Sequence, residues 1–480
     1  MKRQRHPTVA HQSAPTEDAS PSDTTAASNV PPRSGRRDEP IERPGLVLIQ
    51  GRASRDPACR PSREAGAAAR RNGRTGVGTR TQRRDTASIG RPAAAAASYD
   101  AVVVGARCAG AATAMLLARR GLRVLALDRA RYGSDTLSTH ALMRAGVLQL
   151  HRWGLLARLR EAGTPPLRTT TFHYGDDAVE IDIKPRDGVD ALYAPRRTVL
   201  DALLVDAARE SGAEVRHETQ LLALQRDGDG RVCGVTVRGA EGAVESIRAG
   251  IVIGADGRRS QVARESGART YRSGSHRTGV VYGYWSGIGL AGNHWYYRSG
   301  VSAGAIPTND GATCVFAAVP STRFDEELRR DPADGYRRVL AACDEQLARA
   351  VDGARPAGRP FFFPGARGHM RRPWGPGWAL VGDAAYFKDP LTAHGITDAL
   401  RDAELLAAAV ARGGDDALAR YQERRDALSR ELFDVTDAVA SFDWDLPRIQ
   451  RLHRRLSEEM NREVEALLAL DSVPPASRSA

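Results

Sequence analysis

Three short segments of this 480-residue chain carry residue types that chemistry on a dinucleotide needs. The first is Gly105-Ala-Arg107-Cys-Ala109-Gly110, between an apolar run and an Ala-rich stretch. A pyrophosphate-binding turn wants one glycine for the tight bend, one for backbone approach and one for helix–strand packing. Gly105 and Gly110 take the first and third places. Arg107 holds the middle one, where it could add a charge-assisted contact to phosphate. The helix N-terminus near Ala109 would face the same phosphate. Asp128, followed by Arg129, closes the next apolar run 23 residues after Gly105, where a carboxylate can accept both hydroxyl protons of a ribose. The second segment is Gly254-Ala-Asp256-Gly257, directly after Ile251-Val-Ile253. A carboxylate at a strand's C-terminal end meets ligands in the crevice above a parallel sheet, and the same pattern also fits a plain turn capping the next helix. The third runs from Gly382-Asp383 through Lys388-Asp389-Pro390 to His394-Gly395 and is the longest of the three.

These segments need elements to hold them. Residues 100–104 are a β-branched run of the buried parallel-strand type, 109–120 a helix and 122–127 a second strand, a βαβ unit. Residues 141–159 have helical spacing, 166–195 alternate as strands do, and 199–211 read as an amphipathic helix. Residues 232–237 and 246–253 frame a hairpin-like insert. From 266 to 363 the signals are short aromatic and β-branched runs, with a hairpin turn at Asn309-Asp310-Gly311. A buried strand at 379–381, a helix over 396–412 and charged C-terminal helices complete an α/β pattern.

In this order the three segments resemble the flavoprotein monooxygenase family that includes para-hydroxybenzoate hydroxylase, with geranylgeranyl reductases and flavin-dependent halogenases as relatives. The resemblance covers residues 99–440. It implies a Rossmann-type FAD-binding domain (99–165, 196–265 and 364–412) with an interleaved β-sheet substrate domain (166–195 and 266–363) and C-terminal helices (413–480). It also implies NAD(P)H as a reductant that visits the FAD site. Gly105, Arg107, Ala109 and Gly110 would hold the pyrophosphate and Asp128 the adenosine ribose, with Arg129 a further cofactor contact. Arg197 occupies an R-x-x-L element near the flavin, Asp256-Gly257 a motif tied to FAD and NAD(P)H, and Gly382-Asp383 the ribityl site. Pro390 and Gly395 belong to the loop at the ring. The chain departs from the pattern at Arg107, at Ala393 where the family has glycine, and at Thr397 where it often has Asn. The halogenase motif W-x-W-x-I-P is absent, Trp285 and Trp295 lacking that spacing, which ranks halogenation low.

In such enzymes the flavin carries the hard step and the protein supplies orientation, dry walls and proton-handling groups. Three side chains are candidates for catalysis. His140 ends the polar run after the ribose strand. His394 lies in the loop beside the ring, within reach of a hydrogen bond to it. Lys388 either pairs with Asp389 or steadies an anionic flavin. The activity expected is hydroxylation of a hydrophobic or aromatic small molecule. Two rivals are saturation of a carbon–carbon double bond and a non-catalytic FAD-binding role.

The chain has 70 Lys and Arg against 58 Asp and Glu, a formal charge of +12. Residues 1–98 hold 18 basic and 9 acidic side chains, so the body is nearly balanced and attraction to nucleic acid is not implied. Those 98 residues contain no Phe, Tyr or Trp and read as a disordered basic extension. A regulatory or targeting arm, an early start codon and a nucleic-acid tail are its competing origins. No apolar run reaches the length of a membrane span, and no ordinary secretory signal is recognisable. Five widely spaced cysteines without C-x-x-C point to a reducing, cytoplasmic setting.

Overall fold

The computed structural model describes residues 98–470 with the exception of 139. The expected extension falls, but for Ser98, outside the described residues, as do the last ten positions.

Two eight-stranded β-sheets organise the rest, and Tyr386–Phe387, His369–Arg371 and Thr270–Ser273 form a third, three-stranded one. The first grows from the strand Ser98–Val104, which pairs in parallel with Val124–Leu127 on one side and Val244–Gly254 on the other. Trp378–Leu380 and Glu214–Arg216 extend it in parallel at the two flanks. Parallel neighbours require crossover helices, which bury both faces of the strands. Val124–Leu127 is accordingly buried at every position. The crossover Cys108–Ala118 is buried from Cys108 to Leu117, and its Ala, Leu and Met side chains suit a helix that meets protein on all sides. Around it pack Arg197–Glu210 and Gly395–Arg412 in one apolar core with Leu200, Leu204, Leu400 and Leu406. The hairpin-like insert contains an antiparallel trio: Gln220–Arg226, Val232–Arg238 and the start of Val244–Gly254.

The second sheet runs Arg355–Pro356, Thr278–Ser286, Ala312–Pro320, Val301–Pro307, Asn293–Arg298, Thr169–Tyr174, Asp177–Asp182, with Phe361–Phe363 added to Thr278–Ser286. Its strands are antiparallel except where Asn293–Arg298 meets Thr169–Tyr174. Strands from 169–182 and from 278–363 therefore share one sheet although the residues between them build the other. One face, with Tyr282, Trp295 and Phe316, packs toward Leu391 and the C-terminal helices. The opposite face, with Val281, Tyr296 and Val315, is covered by Pro332–Cys343 and Glu345–Asp352. Those two helices lie inside a stretch expected to hold only short strands.

One further boundary differs from expectation. The helix expected over 141–159 is split into Arg144–Arg152 and Leu156–Glu161, because Gly154 at φ +77° turns the chain between them. The C-terminal region does form the long helices Asp415–Val439 and Leu446–Leu468.

Candidate active site

A cavity of about 710 Å³ runs from the Gly105 turn to the aromatic face of the second sheet. Gly105, Arg107, Ala109, Asp128, Arg129, Arg197, Asp256, Gly257, Asp383, Pro390, Gly395, His140 and Lys388 all line it. Gly110, Gly382 and His394 are not in its wall. Gly110 and Gly382 act behind the lining, since a Cβ on Gly110 would lie 1.7 Å from the Gly105 carbonyl oxygen and one on Gly382 2.8 Å from the Ala109 methyl.

Gly105 has φ +99°, and a Cβ there would stand 2.4 Å from the Ala255 carbonyl oxygen, so no larger residue fits this turn. Asp128 secures it from the neighbouring strand: its carboxylate accepts from the Ala106 N–H at 2.8 Å and from the Ala130 N–H at 2.8 Å. Arg107 needs no glycine conformation, its backbone being extended (φ −90°, ψ −168°) at the start of the helix. Its terminal nitrogens go to Asp201 at 3.0 Å and to the Ser134 carbonyl and hydroxyl at 3.1 Å each. The side chain expected to contact pyrophosphate thus lines the cavity with its nitrogens already held by protein acceptors. Arg197 grips the same carboxylate with two bonds of 3.0 and 2.9 Å. Asp201 thus ties the R-x-x-L helix to the nucleotide turn. Its place one helical turn after Arg197 is the signal that could have identified it.

Asp256 lines the cavity, yet its oxygens accept from the Ser260 hydroxyl at 2.5 Å and from the amides of Gln261 and Val262 at 2.6 and 3.2 Å. It helps Ser260, the N-cap residue, to hold the first amides of the following helix. Gly257 and Gly395 line the cavity with open space where a Cβ would stand, so a ligand can approach their backbone. Arg129, Arg259 and Arg264 also face the cavity and make no ion pair among the described residues. A cavity with seven Arg and Lys against four Asp in its wall, a ribose-ready carboxylate and exposed glycine backbone fits FAD, whose diphosphate is the anion such a lining favours.

His140 is held at φ +65° and buried. Its Nε2 bonds the Tyr284 hydroxyl, and its N–H donates to the Ser138 hydroxyl at 3.1 Å. Loss of hydration, with Arg197 nearby, drops its imidazole to about 3. It is neutral at physiological pH and acts as a hydrogen-bonding group, not as a charged acid. The Ser138 N–H donates to Tyr282 at 2.9 Å, and the Arg196 guanidinium lies 3.8 Å over the Tyr284 ring while pairing with Asp135 at 2.8 Å. The loop is thereby stitched to the second sheet.

At the far end, burial in the cavity wall raises the Asp383 carboxyl to about 6 against the pull of Arg197. Lys388 pairs with Asp398, one turn into the helix Gly395–Arg412, and not with Asp389. Asp389 instead accepts from the amides of Thr278 at 2.8 Å and Leu391 at 3.1 Å, pinning this loop to the second sheet. His394, expected beside the ring, points away: its side chain is 0% exposed and its Nε2 bonds Glu463 Oε2 at 2.7 Å. Ala393 takes a left-handed φ of 49°, the conformation for which the related pattern uses glycine. The inner chamber is closed by Val280, Tyr282, Trp295, Phe316, Phe363 and Leu391.

A crevice at the ends of a parallel sheet, basic in its lining and continuous with aromatic side chains of the second sheet, is the arrangement of a dinucleotide site beside a small-molecule pocket. The chain belongs to the FAD binding domain family, which it matches over residues 98–436, and it is a FAD-dependent oxidoreductase. Digeranylgeranylglycerophospholipid reductase 2 of Methanopyrus kandleri is 29% identical over 388 residues, 77% of this chain and 90% of that one. Aklavinone 12-hydroxylase RdmE of Streptomyces purpurascens is 32% identical over 222 residues, 41% of each chain. The flavin-dependent brominase Bmp2 has the same fold, with a TM-score of 0.66 at 18% identity over 76% of this chain and 93% of that one. Among the described residues no helix is long and apolar enough to cross a membrane.

Proposed function

We propose that the chain uses FAD and NAD(P)H to hydroxylate a hydrophobic, aromatic small molecule. The observation that carries this reading is the inner chamber, which Tyr282, Trp295, Phe316 and Phe363 line with aromatic surface suited to a flat apolar ligand. FAD, when bound, supplies hydride acceptance from NAD(P)H and then oxygen activation. The protein's part is to bind, orient and dehydrate. Asp128 accepts the ribose hydroxyls, and the N-terminus of Cys108–Ala118 faces the diphosphate, with Gly105, Ala109 and Arg129 beside it. Asp383 meets the ribityl chain, while Gly257, Pro390 and Gly395 leave room along the cofactor. Lys388 presents its ammonium on the ring side, and neutral His140 holds a hydrogen bond at the chamber wall.

In this reading residues 99–165, 196–265 and 364–412 form the FAD-binding domain, and 166–195 with 266–363 the substrate domain. A reducing, cytoplasmic setting goes with it, supported by the unpaired thiols of Cys108, Cys233, Cys314 and Cys343.

Saturation of a carbon–carbon double bond is the second reading, favoured by the length over which the reductase of Methanopyrus kandleri is similar. A screen of aromatic and isoprenoid compounds for stimulated NAD(P)H oxidation separates the two. Aromatic compounds are expected to stimulate, and Phe316→Ala to raise KM for them about tenfold, the loss expected for one buried ring contact. Stimulation by isoprenoids alone would favour saturation.

A further inference from the structure

Behind the cavity wall lies a buried cluster of ionisable groups drawn from several elements. Lys388 and Asp398 line the cavity, and Asp398 also accepts from Arg401 at 3.1 Å. Arg401 donates to Asp402 at 2.7 Å, to the Ser429 hydroxyl at 2.8 Å and to Glu463 at 2.7 Å. Glu463 closes the cluster by accepting from His394, whose Nε2 is 2.7 Å away. Arg401, Asp402, Glu463 and His394 have 0% side-chain exposure. Two fixed cations, Lys388 and Arg401, face three carboxylates, with His394 as the sixth ionisable group.

His394, Asp398 and Glu463 could be taken for a metal site by their spacing. Every oxygen of Asp398 and Glu463 already holds a nitrogen from Lys388, Arg401 or His394. A cation would have to displace them, so the cluster is an ion network and not a metal cage.

We infer that Glu463, delivered by the C-terminal helix Leu446–Leu468, is a positioning residue that sets the charge Lys388 presents to the cofactor ring. The geometry supplies the path. Glu463 takes up Arg401, which leaves one oxygen of Asp398 for Lys388 at the cavity wall. In a wholly buried cluster such charges are felt at a distance, because little water screens them. Burial works against the Glu463 charge, yet His394 and Arg401 hold its carboxyl well below the ordinary range. Burial lowers Lys388, and Asp398 counters it. Without the glutamate charge the cluster goes from three carboxylates against two fixed cations to two against two, and the cavity wall becomes more positive. An electron-rich flavin, which carries added negative charge, is then favoured. The inference rests on the proposed placement of the ring at the loop from Gly382 to Gly395.

The test is the midpoint potential of bound FAD, measured by spectroscopic titration at one pH in the full chain. Glu463→Gln keeps hydrogen-bonding capacity and removes charge, and the potential is expected to shift positive. Glu463→Asp keeps the charge and shortens the side chain, and a potential near the unaltered value is expected. Lys388→Met is expected to shift it negative. A shifted Lys388→Met with an unshifted Glu463→Gln would overturn the role of Glu463. So would equal shifts in the Gln and Asp variants, or loss of FAD from both, since either makes the glutamate a scaffold. An unshifted Lys388→Met would overturn the ring placement instead.

Discussion

Asp383 combines a cavity-facing carboxylate with surroundings that resist its ionisation. A carboxyl whose value rises from 3.8 to about 6 on folding binds its proton more tightly in the native state. Its contribution to stability is full below 3.8 and is lost as the pH rises through about 6. Asp383→Asn removes that dependence. The difference in Tm between the variant and the unaltered FAD-free chain is therefore expected to grow in the variant's favour from pH 5 to pH 7.5. A constant difference would contradict the buried-carboxyl account. The same variant is expected to weaken FAD retention roughly tenfold to a hundredfold, the usual loss for a hydrogen bond to a charged group, as read by equilibrium dialysis. At this scale the sequence was informative about position and less so about direction. Gly105, Asp128 and Asp383 stand in the cavity wall at the places their spacing implied. Arg107, Asp256 and His394 are turned to protein partners, because Asp201, the amides of Gln261 and Val262, and Glu463 come from elements whose approach no local pattern reveals.

The helix Gly395–Arg412 carries most of the element-scale argument. Its Arg401 joins Ser429 of Asp415–Val439 and Glu463 of Leu446–Leu468, so three helices meet at one guanidinium. Breaking a buried ion network by removing one partner leaves uncompensated charge. Arg401→Leu is expected to cost about 3–5 kcal/mol in urea unfolding. A loss under about 1 kcal/mol would show that water reaches the cluster, at odds with its burial. Parallel strands were legible as elements because burial on both faces leaves unbroken runs such as Val102-Val-Val104. The helices Pro332–Cys343 and Glu345–Asp352 were not. Their apolar stripe, Tyr336, Val339, Leu340 and Cys343 and then Leu347 and Val351, was passed over beside the stronger β-branched runs, although Asp331-Pro332 and Asp344 are N-cap signals and both aspartates do cap these helices. The unbroken apolar run Cys314 to Val319 was a second clue, since such a strand needs cover on both faces.

For the whole molecule, function depends on two sheets built from alternating stretches of chain. The parallel sheet supplies the nucleotide cradle and the mixed sheet supplies aromatic walls, and the Asp389 and Ser134–His140 connections hold one against the other. Most of the charge surplus of the full chain belongs to a segment outside the described residues, while the cavity has its own local excess of arginine. That division explains why total charge said little about function and motif spacing said much. The proposed function joins FAD chemistry in this cavity to oxygen insertion into an aromatic substrate. Its most direct measurement is dioxygen consumed per NAD(P)H oxidised by the FAD-loaded chain with a stimulating compound, with the product analysed by mass spectrometry. The account predicts about one dioxygen per NAD(P)H and a product heavier by one oxygen atom, the balance of flavin-dependent hydroxylation. NAD(P)H oxidation without oxygen uptake, and a product heavier by two hydrogens, would contradict it.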